Sequence, residues 1–139
     1  MTKKTMHLKN PIFIIIMRND IGSLNAGKAC AQASHAANAM VDTVSKSDPV
    51  FREALGRWQR ETKQGFGTCI VLEGSWQEIY DFVATKTYNQ PYICQSIVDP
   101  AYPVRDGIVT HLIELPTCVW AFGDKDDMNE IRNSFDLML

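Results

Sequence analysis

The order of apolar and polar positions along the chain predicts an alternation of strands and helices. Residues 11–17 form an unbroken apolar run, which is typical of a central strand buried on both faces. Elsewhere, apolar positions recur every three or four residues, which predicts helices. The predicted strands are 11–17, 68–72, 92–98 and 117–122, and the predicted helices are 25–45, 49–63, 76–87 and a last one that opens at 123–127. This order indicates an α/β fold, a three-layer α/β/α arrangement with a mixed, mostly parallel sheet of about four strands.

Prolines and a glycine interrupt the pattern between the third and fourth predicted strands. The segment 99–107 contains Pro100, Pro103 and Gly107, and this composition predicts a loop. Residues 108–115 fit either a short strand or an extended loop. Asp99 ends the third predicted strand, and ligands of α/β sheets bind outside the carboxyl ends of parallel strands. We therefore expect Asp99 to face the start of the first helix.

Length, charge and cysteine spacing limit the class of protein. The 139 residues fit one domain, expected over 11–139 behind a flexible N-terminus at 1–10. The net charge of −2 gives no overall argument for nucleic acid binding. The run at 12–17 is too short to cross a bilayer and no signal peptide is recognised, so we expect a cytoplasmic protein without membrane contact. The four dispersed cysteines favour buried free thiols over disulfides or a zinc site, and with three scattered histidines no metal is expected.

One alanine-rich helix carries an unusual group of polar side chains. Alanine favours helix and has no bulk, so residues 25–40 can lie very close to a sheet. Lys28, Gln32 and His35 fall within about a 60° arc, on one stripe that begins at the helix N-terminus. The amides exposed there suit negative charge. Ser34 lies off that stripe by about 100°. The alternative interpretation is a packed helix with a solvated face, in which His35 is structural.

The residues around this helix match a known pattern. Residues 27–36 read Gly-Lys-Ala-Cys-Ala-Gln-Ala-Ser-His-Ala, and Met17-Arg18-Asn19-Asp20-Ile21 follows the first strand. Together with a strand that ends at Asp99 and the segment 117–139, they resemble the type 2 peptidyl-tRNA hydrolases. The helix of that family reads Gly-Lys-x-Ala-x-Gln-x-Ser-His-Ala, and Cys30 replaces its alanine here. The resemblance covers about residues 11–139.

The segment after Asp99 departs from the family pattern. In the family, this aspartate is followed closely by Ala-Gly-Arg-Thr-Gln or Ala-Gly-x-Thr-Glu, whereas here the segment is longer by several residues. Thr110 is the best match to the threonine of the family, with His111 at the position of Gln or Glu. Arg105 stands in for the arginine.

The resemblance implies an enzyme that cleaves the ester between a peptide and the 3′ ribose of tRNA, without a metal or cofactor. It implies that Asp99 orients or deprotonates the attacking water, and partial desolvation would raise its basicity. Lys28 would stabilise an oxyanion or a phosphate. The expected catalytic set is Lys28, Asp99, Gln32, Ser34 and Thr110. Ser34 has an alternative role, in which it packs against the sheet or bonds to backbone.

Peptidyl-tRNA is the partner that the resemblance implies. RNA contacts are expected from Arg18, His35, Arg105, Arg57 and Arg60. For the last two, which lie in the helix at 49–63, a solvated helix face is an equal alternative. The family often forms homodimers, so a second copy of the chain is a further expected partner. The rival interpretation is a non-catalytic RNA- or protein-binding relative that keeps the fold but has a rebuilt segment after Asp99.

Overall fold

A five-stranded mixed sheet forms the centre of the computed structural model, which describes residues 8–139. The strands lie in the order β3-β4-β1-β2-β5. In chain order, the elements are β1 (Pro11–Arg18), α1 (Ala26–Ser45), α2 (Pro49–Gln59), β2 (Cys69–Gly74), α3 (Trp76–Lys86), β3 (Ile93–Asp106), β4 (Val109–Asp124), a 3-10 turn (Lys125–Met128), α4 (Asn129–Ser134) and β5 (Asp136–Leu137).

Helices cover both faces of this sheet, which confirms the predicted α/β fold. Alternate residues of β1 point to opposite faces, as the pleat of a strand requires. Phe13 and Ile15 belong to a buried cluster with side chains of α1 and α2, whereas Ile14 and Ile16 belong to a second cluster with side chains of α3 and α4. The apolar run at 11–17 therefore fills both cores, as expected for a central strand.

The prediction that the sheet is mostly parallel is wrong. Of the four strand pairings, only that between β1 and β2 is parallel, and the other three are antiparallel. The cause is that β3 and β4 are joined by a short turn rather than by a crossover helix, so β4 must return alongside β3 in the opposite direction. The fifth strand is the short β5, which pairs with β2 where the last helix was predicted to continue.

The loop predicted at 99–107 is also wrong, because most of it is strand. β3 runs to Asp106, and Gly107 makes the turn with a positive φ of 62°. Pro100 falls in an irregularity of the β3–β4 register between Asp99 and Tyr102, and Pro103 lies on the edge strand of the sheet. Proline is tolerated at both kinds of position, because neither requires its missing amide hydrogen.

The outer part of the β3–β4 hairpin, residues 100–115, extends beyond the rest of the sheet, and we call it the arm. β1 pairs with β4 only over residues 118–124 of β4, so among residues 8–139 the arm consists of two strands without a third. Several of its large apolar side chains are exposed, namely Ile108, Val109, Leu112 and Ile113. The alternative of a short strand at 108–115 is thus the correct one, as part of a much longer strand.

The described chain is anchored from its first residue. Leu8 is buried, and the backbone amide of Asn10 donates to the Asp124 carboxylate at 2.7 Å. The N-terminal segment predicted to be flexible, residues 1–10, otherwise lies outside the described residues. The boundaries proposed for a single domain, 11–139, stay a prediction.

The cysteines and the helices can be compared with the predictions of buried free thiols and of no membrane-spanning segment. All four cysteines are free, and Cys118 is buried as expected. Cys30 and Cys69 are exposed, which corrects the prediction that all four thiols would be buried. Among residues 8–139, no helix combines the length and the apolar character needed to cross a membrane.

Candidate functional site

Three elements meet at the carboxyl end of β1, and their side chains form the candidate site. α1 begins there, and the side chain of Asn25 caps it by accepting a hydrogen bond from the Lys28 amide at 2.9 Å. β3 passes the same end at Asp99, and β4 passes it at Thr117. The expectation that Asp99 faces the first part of α1 is confirmed by a direct hydrogen bond, described next.

A hydrogen-bonded network joins the three elements. The Thr117 hydroxyl donates to Gln32 Oε1 at 2.7 Å, and Gln32 Nε2 donates to Asp99 Oδ2 at 2.7 Å. Gln32 and Thr117 are buried, with exposed fractions of 3% and 0%. Buried polar groups are costly unless they are paired, so these two side chains satisfy each other and fix the orientation of the amide. The amide can then present only a donor to the carboxylate.

The Asp99 carboxylate is held by donors on both oxygens. Besides Gln32 on Oδ2, the backbone amide of Ala101 donates to Oδ1 at 2.9 Å. The hydrogen bonds from the Ala101 amide and the Gln32 amide lower the pKa of Asp99 most. Slight burial opposes them less strongly, and His35 lowers the pKa by a smaller amount. The expected gain in basicity from desolvation is therefore wrong, because hydrogen bonds to the charged form dominate. Asp99 is an ionised acceptor at neutral pH.

Lys28 lies one helical turn before Gln32, and its ammonium reaches the same strand as Asp99. Nζ donates to the carbonyl oxygen of Pro103 at 3.2 Å and lies 5.2 Å from the centroid of the Tyr102 ring. The Tyr102 ring is buried, and its hydroxyl lies 3.3 Å from Ser23 Oγ. Within the described chain Lys28 forms no ion pair, so its charge is not neutralised by a neighbouring carboxylate.

Arg18 closes the base of the site rather than lining it. Its guanidinium donates to Asp20 Oδ1 at 2.8 Å and to the carbonyl oxygen of Pro116 at 2.9 Å, and lies 5.5 Å from the centroid of the Trp76 ring. Asp20 Oδ2 accepts from the Trp76 backbone amide at 3.0 Å. Partial burial raises the pKa of Asp20, but the hydrogen bonds from Arg18 and Trp76 together outweigh it, and the pKa is lowered. Arg18, 13% exposed, is thus committed to protein contacts.

Two of the predicted catalytic residues do not join this network. Ser34 is exposed, and its hydroxyl donates to the backbone oxygen of Cys30 at 3.1 Å, which is the alternative role expected for it. Thr110 is exposed on the arm opposite Arg105, whereas Asp99 lies opposite Leu115. At about 3.3 Å per residue, Thr110 lies roughly 16 Å further along the strand. Thr110 and Arg105 are therefore remote from Asp99.

The basic residues predicted on α2 lie at the other end of the sheet. Arg57 donates to Glu53 Oε2 at 2.7 Å and to the backbone oxygen of Leu8, just before β1 begins. Arg60, which is exposed, follows the end of the same helix. The candidate site lies beyond the opposite end of β1, so α2 does not bring Arg57 and Arg60 to it. Of the residues expected to contact RNA, His35 is near enough to act on the Asp99 charge.

Thr117 is the candidate-site residue that the sequence analysis does not single out. The sequence predicts it only as the first residue of a strand. A hydroxyl at the start of an otherwise apolar buried strand was the available signal, because a buried hydroxyl needs a hydrogen-bond partner. Nothing in the sequence named Gln32, 85 residues away, as that partner.

The comparisons with known proteins identify the family of the chain. A family model described as "Peptidyl-tRNA hydrolase PTH2" matches residues 12–138. The matched segment includes Lys28, Gln32, Asp99 and Thr117. A comparison with curated proteins finds no match to the chain.

Proposed function

Because the chain belongs to the peptidyl-tRNA hydrolase PTH2 family, we propose that it hydrolyses the ester between a peptide and the 3′ ribose of tRNA, releasing peptide and free tRNA. The observation that supports this most directly is the Thr117–Gln32–Asp99 network, together with the Lys28 ammonium one helical turn before Gln32. Within the described residues, that ammonium donates to the Pro103 carbonyl and forms no ion pair. Ester hydrolysis needs an oriented water, a group that accepts its proton and a positive charge for the oxyanion. Asp99 supplies the first two, and Lys28 supplies the third. Both lie within one turn of α1 and the strands that face it.

Asp99 orients the attacking water and accepts its proton. Since its pKa is lowered by the Ala101 and Gln32 donors, the carboxylate is ionised over the whole neutral range. General bases act best with a pKa near the working pH, so the lowered pKa makes Asp99 a weaker base, and orienting the water is the larger part of its role. As the ester bond breaks, the proton passes from Asp99 to the 3′ oxygen of the ribose, and the carboxylate is regenerated.

Lys28 stabilises the negative charge that develops on the ester carbonyl oxygen. Its Nζ is held by a neutral carbonyl and an aromatic ring rather than by an acid. The positive end of the α1 dipole adds to the same field, because Lys28 lies in the first turn. A fixed cation of this kind favours the charged intermediate over the neutral ester, which is what raises kcat.

Gln32 and Thr117 are positioning residues in this proposal. Neither is exposed enough to meet a substrate, but together they fix where the Asp99 carboxylate points. We place Ser34 and Thr110 outside the catalytic set, because Ser34 bonds to its own helix and Thr110 lies on the arm.

The rate of peptide release from N-acetyl-aminoacyl-tRNA in EDTA tests the proposal. We expect release by the wild type, and a fall of about 10²-fold or more in Asp99→Ala, as for loss of a general base. Loss of release in EDTA, with recovery on added metal, would overturn metal independence. Binding of deacylated tRNA without any release by folded wild type would overturn the enzyme and favour a non-catalytic RNA-binding relative.

A further inference from the structure

An aromatic pair at the start of α3 is not explained by the core. Trp76 and Tyr80 lie one helical turn apart, with ring centroids 6.0 Å apart and an interplanar angle of 53°. Ile79 and Phe82 of the same helix are buried against the sheet, and Trp76 packs partly against them. Tyr80 points away and is 56% exposed. The helix thus leaves one aromatic ring largely in solvent.

This pair is fixed to the candidate site through Arg18. The guanidinium lies 5.5 Å from the Trp76 centroid and donates to the carbonyl oxygen of Pro116. Pro116 precedes Thr117, the first member of the network that ends at Asp99. In addition, the Trp76 amide is bound by Asp20. The aromatic pair and Asp99 therefore lie at the same end of the sheet and are joined by a continuous set of hydrogen bonds and ring contacts.

The chemistry of this surface suits unpaired nucleobases. Aromatic rings stack on the faces of bases without reading their sequence, and single-stranded RNA ends are recognised largely in this way. Phosphate contacts are the usual alternative, but Arg18 is engaged by Asp20, and Arg57 and Arg60 lie at the far end of the sheet. The Lys28 ammonium also lies at this end of the sheet, but it contacts Pro103 and Tyr102. Beside Trp76 and Tyr80 themselves, stacking is thus the interaction that the surface offers.

We propose that Trp76 and Tyr80 form a stacking platform for the unpaired bases at the 3′ end of tRNA. The identity of the RNA rests on the proposed function, whereas the platform itself is a binding site for single-stranded bases. Such a platform holds the 3′ end while Asp99 and Lys28 act on the ester, and it binds substrate and product tRNA alike.

Fluorescence titration with the RNA tetranucleotide 5′-ACCA-3′ tests the platform without any chemistry. Trp58 and Trp120 are buried, at 4% and 0% exposed, so a contact with RNA changes the emission of Trp76. We expect saturable quenching of the fluorescence in the wild type. In Trp76→Phe the quenching should be lost, because the reporting fluorophore is removed. In Tyr80→Ala, binding should be weakened about 5-fold or more. Tyr80→Phe keeps the ring and should bind as the wild type does.

Tyr88→Ala is the matched control, because Tyr88 is an 81% exposed aromatic just beyond the far end of α3. It should leave binding unchanged. Tyr80 is exposed, so its variants test binding rather than folding. Absence of quenching in the wild type, or equal binding by Tyr80→Ala, overturns the platform. Equal weakening by Tyr88→Ala also overturns it, because the effect is then not specific to this surface.

Hydrolysis of N-acetyl-aminoacyl-tRNA separates this inference from the proposed function. For Tyr80→Ala we expect KM to rise about 5-fold or more with kcat nearly unchanged, because stacking is equal in the ground and transition states. Hydrolysis with an unchanged KM in Tyr80→Ala overturns the platform and leaves the hydrolase. Tyr80-dependent binding of the tetranucleotide without hydrolysis supports the platform and overturns the hydrolase.

Discussion

The Gln32 amide donates to the Asp99 carboxylate at 2.7 Å across 67 residues of sequence. Its own oxygen accepts from Thr117, so the amide cannot rotate without breaking both hydrogen bonds. The Ala101 backbone amide and this permanent Gln32 donor together lower the pKa of Asp99, which suits the carboxylate to act as an acceptor rather than an acid.

Gln32→Glu should lower activity by about 10-fold to 100-fold through misplacement of Asp99. The change removes the amide donor and adds a carboxylate beside Asp99, so the pKa of Asp99 should rise. In a pH profile of kcat/KM, the acidic limb should then move to higher pH. Gln90→Glu makes the same change at an exposed position and should do neither. An unshifted limb in Gln32→Glu would show that Gln32 does not control Asp99.

Thr117→Val should destabilise the fold by about 1–3 kcal/mol, because the shape is kept but Gln32 Oε1 is left buried without its donor. Urea unfolding measures this free energy. Thr117→Ser keeps the hydroxyl and should lose less stability, mainly for the missing methyl group. If the valine variant is as stable as the serine variant, the hydroxyl does not support Gln32.

Asp99 should make the fold less stable in acid. Its pKa is lowered in the folded protein, below the ordinary 3.8, so the unfolded chain binds the proton first as the pH falls. The stabilisation is complete above the ordinary pKa and is lost as the pH falls through the folded value. The free energy of unfolding should therefore fall less between pH 6 and pH 3 in Asp99→Asn than in the wild type. Asp126→Asn, at an exposed carboxylate outside the site, controls for the loss of one charge. Identical acid sensitivity in the wild type and Asp99→Asn would contradict the assignment.

Lys28→Met should reduce kcat by about 10²-fold to 10³-fold, with a smaller effect on KM. Methionine keeps much of the side-chain length and removes the charge that meets the oxyanion. Lys46→Met is the control at the opposite end of α1, where the ammonium pairs with Asp42 on the surface at 3.0 Å. Steady-state kinetics on N-acetyl-aminoacyl-tRNA would compare the two. An equal loss in both variants would point to nonspecific attraction of RNA rather than to catalysis.

Periodicity predicted the parts of the site that lie on regular elements. The i, i+4 spacing of Lys28 and Gln32 placed both on one side of α1, and the apolar run at 11–17 placed β1 at the centre of the sheet. Asp99 was expected opposite that helix at the end of a strand, and it does lie there, although β3 continues to Asp106. For Lys28, Gln32 and β1, local spacing decides where the side chains point.

The remaining features depend on contacts between distant segments. Two prolines argued for a loop after Asp99, but the edge position of β3 and the irregularity in its register accommodate them. The sequence indicates no partner for Arg57, whereas in the structure its guanidinium donates hydrogen bonds to the Leu8 carbonyl and the Glu53 carboxylate. Thr110 was matched to the threonine of the family pattern by residue type and order. In the structure, the threonine that contacts Gln32 is Thr117, which the pairing of β4 with β1 brings there. Contacts between distant segments determine these features, and no local sequence pattern predicts such contacts.

The placement of β4 beside β1 also determines when the site can exist during synthesis. Met17 of β1 pairs with Cys118 of β4, and Gln32 accepts its hydrogen bond from Thr117 of the same strand β4. Contacts of such long sequence separation form late, because a long stretch of chain must be ordered before they are made. A nascent chain that stops at residue 110 has its Lys28 helix and Asp99 but neither the strand that borders β1 nor the hydroxyl that fixes Gln32. Activity should therefore appear only on a nearly finished chain, and N-terminal fragments should lack it whatever their helical content.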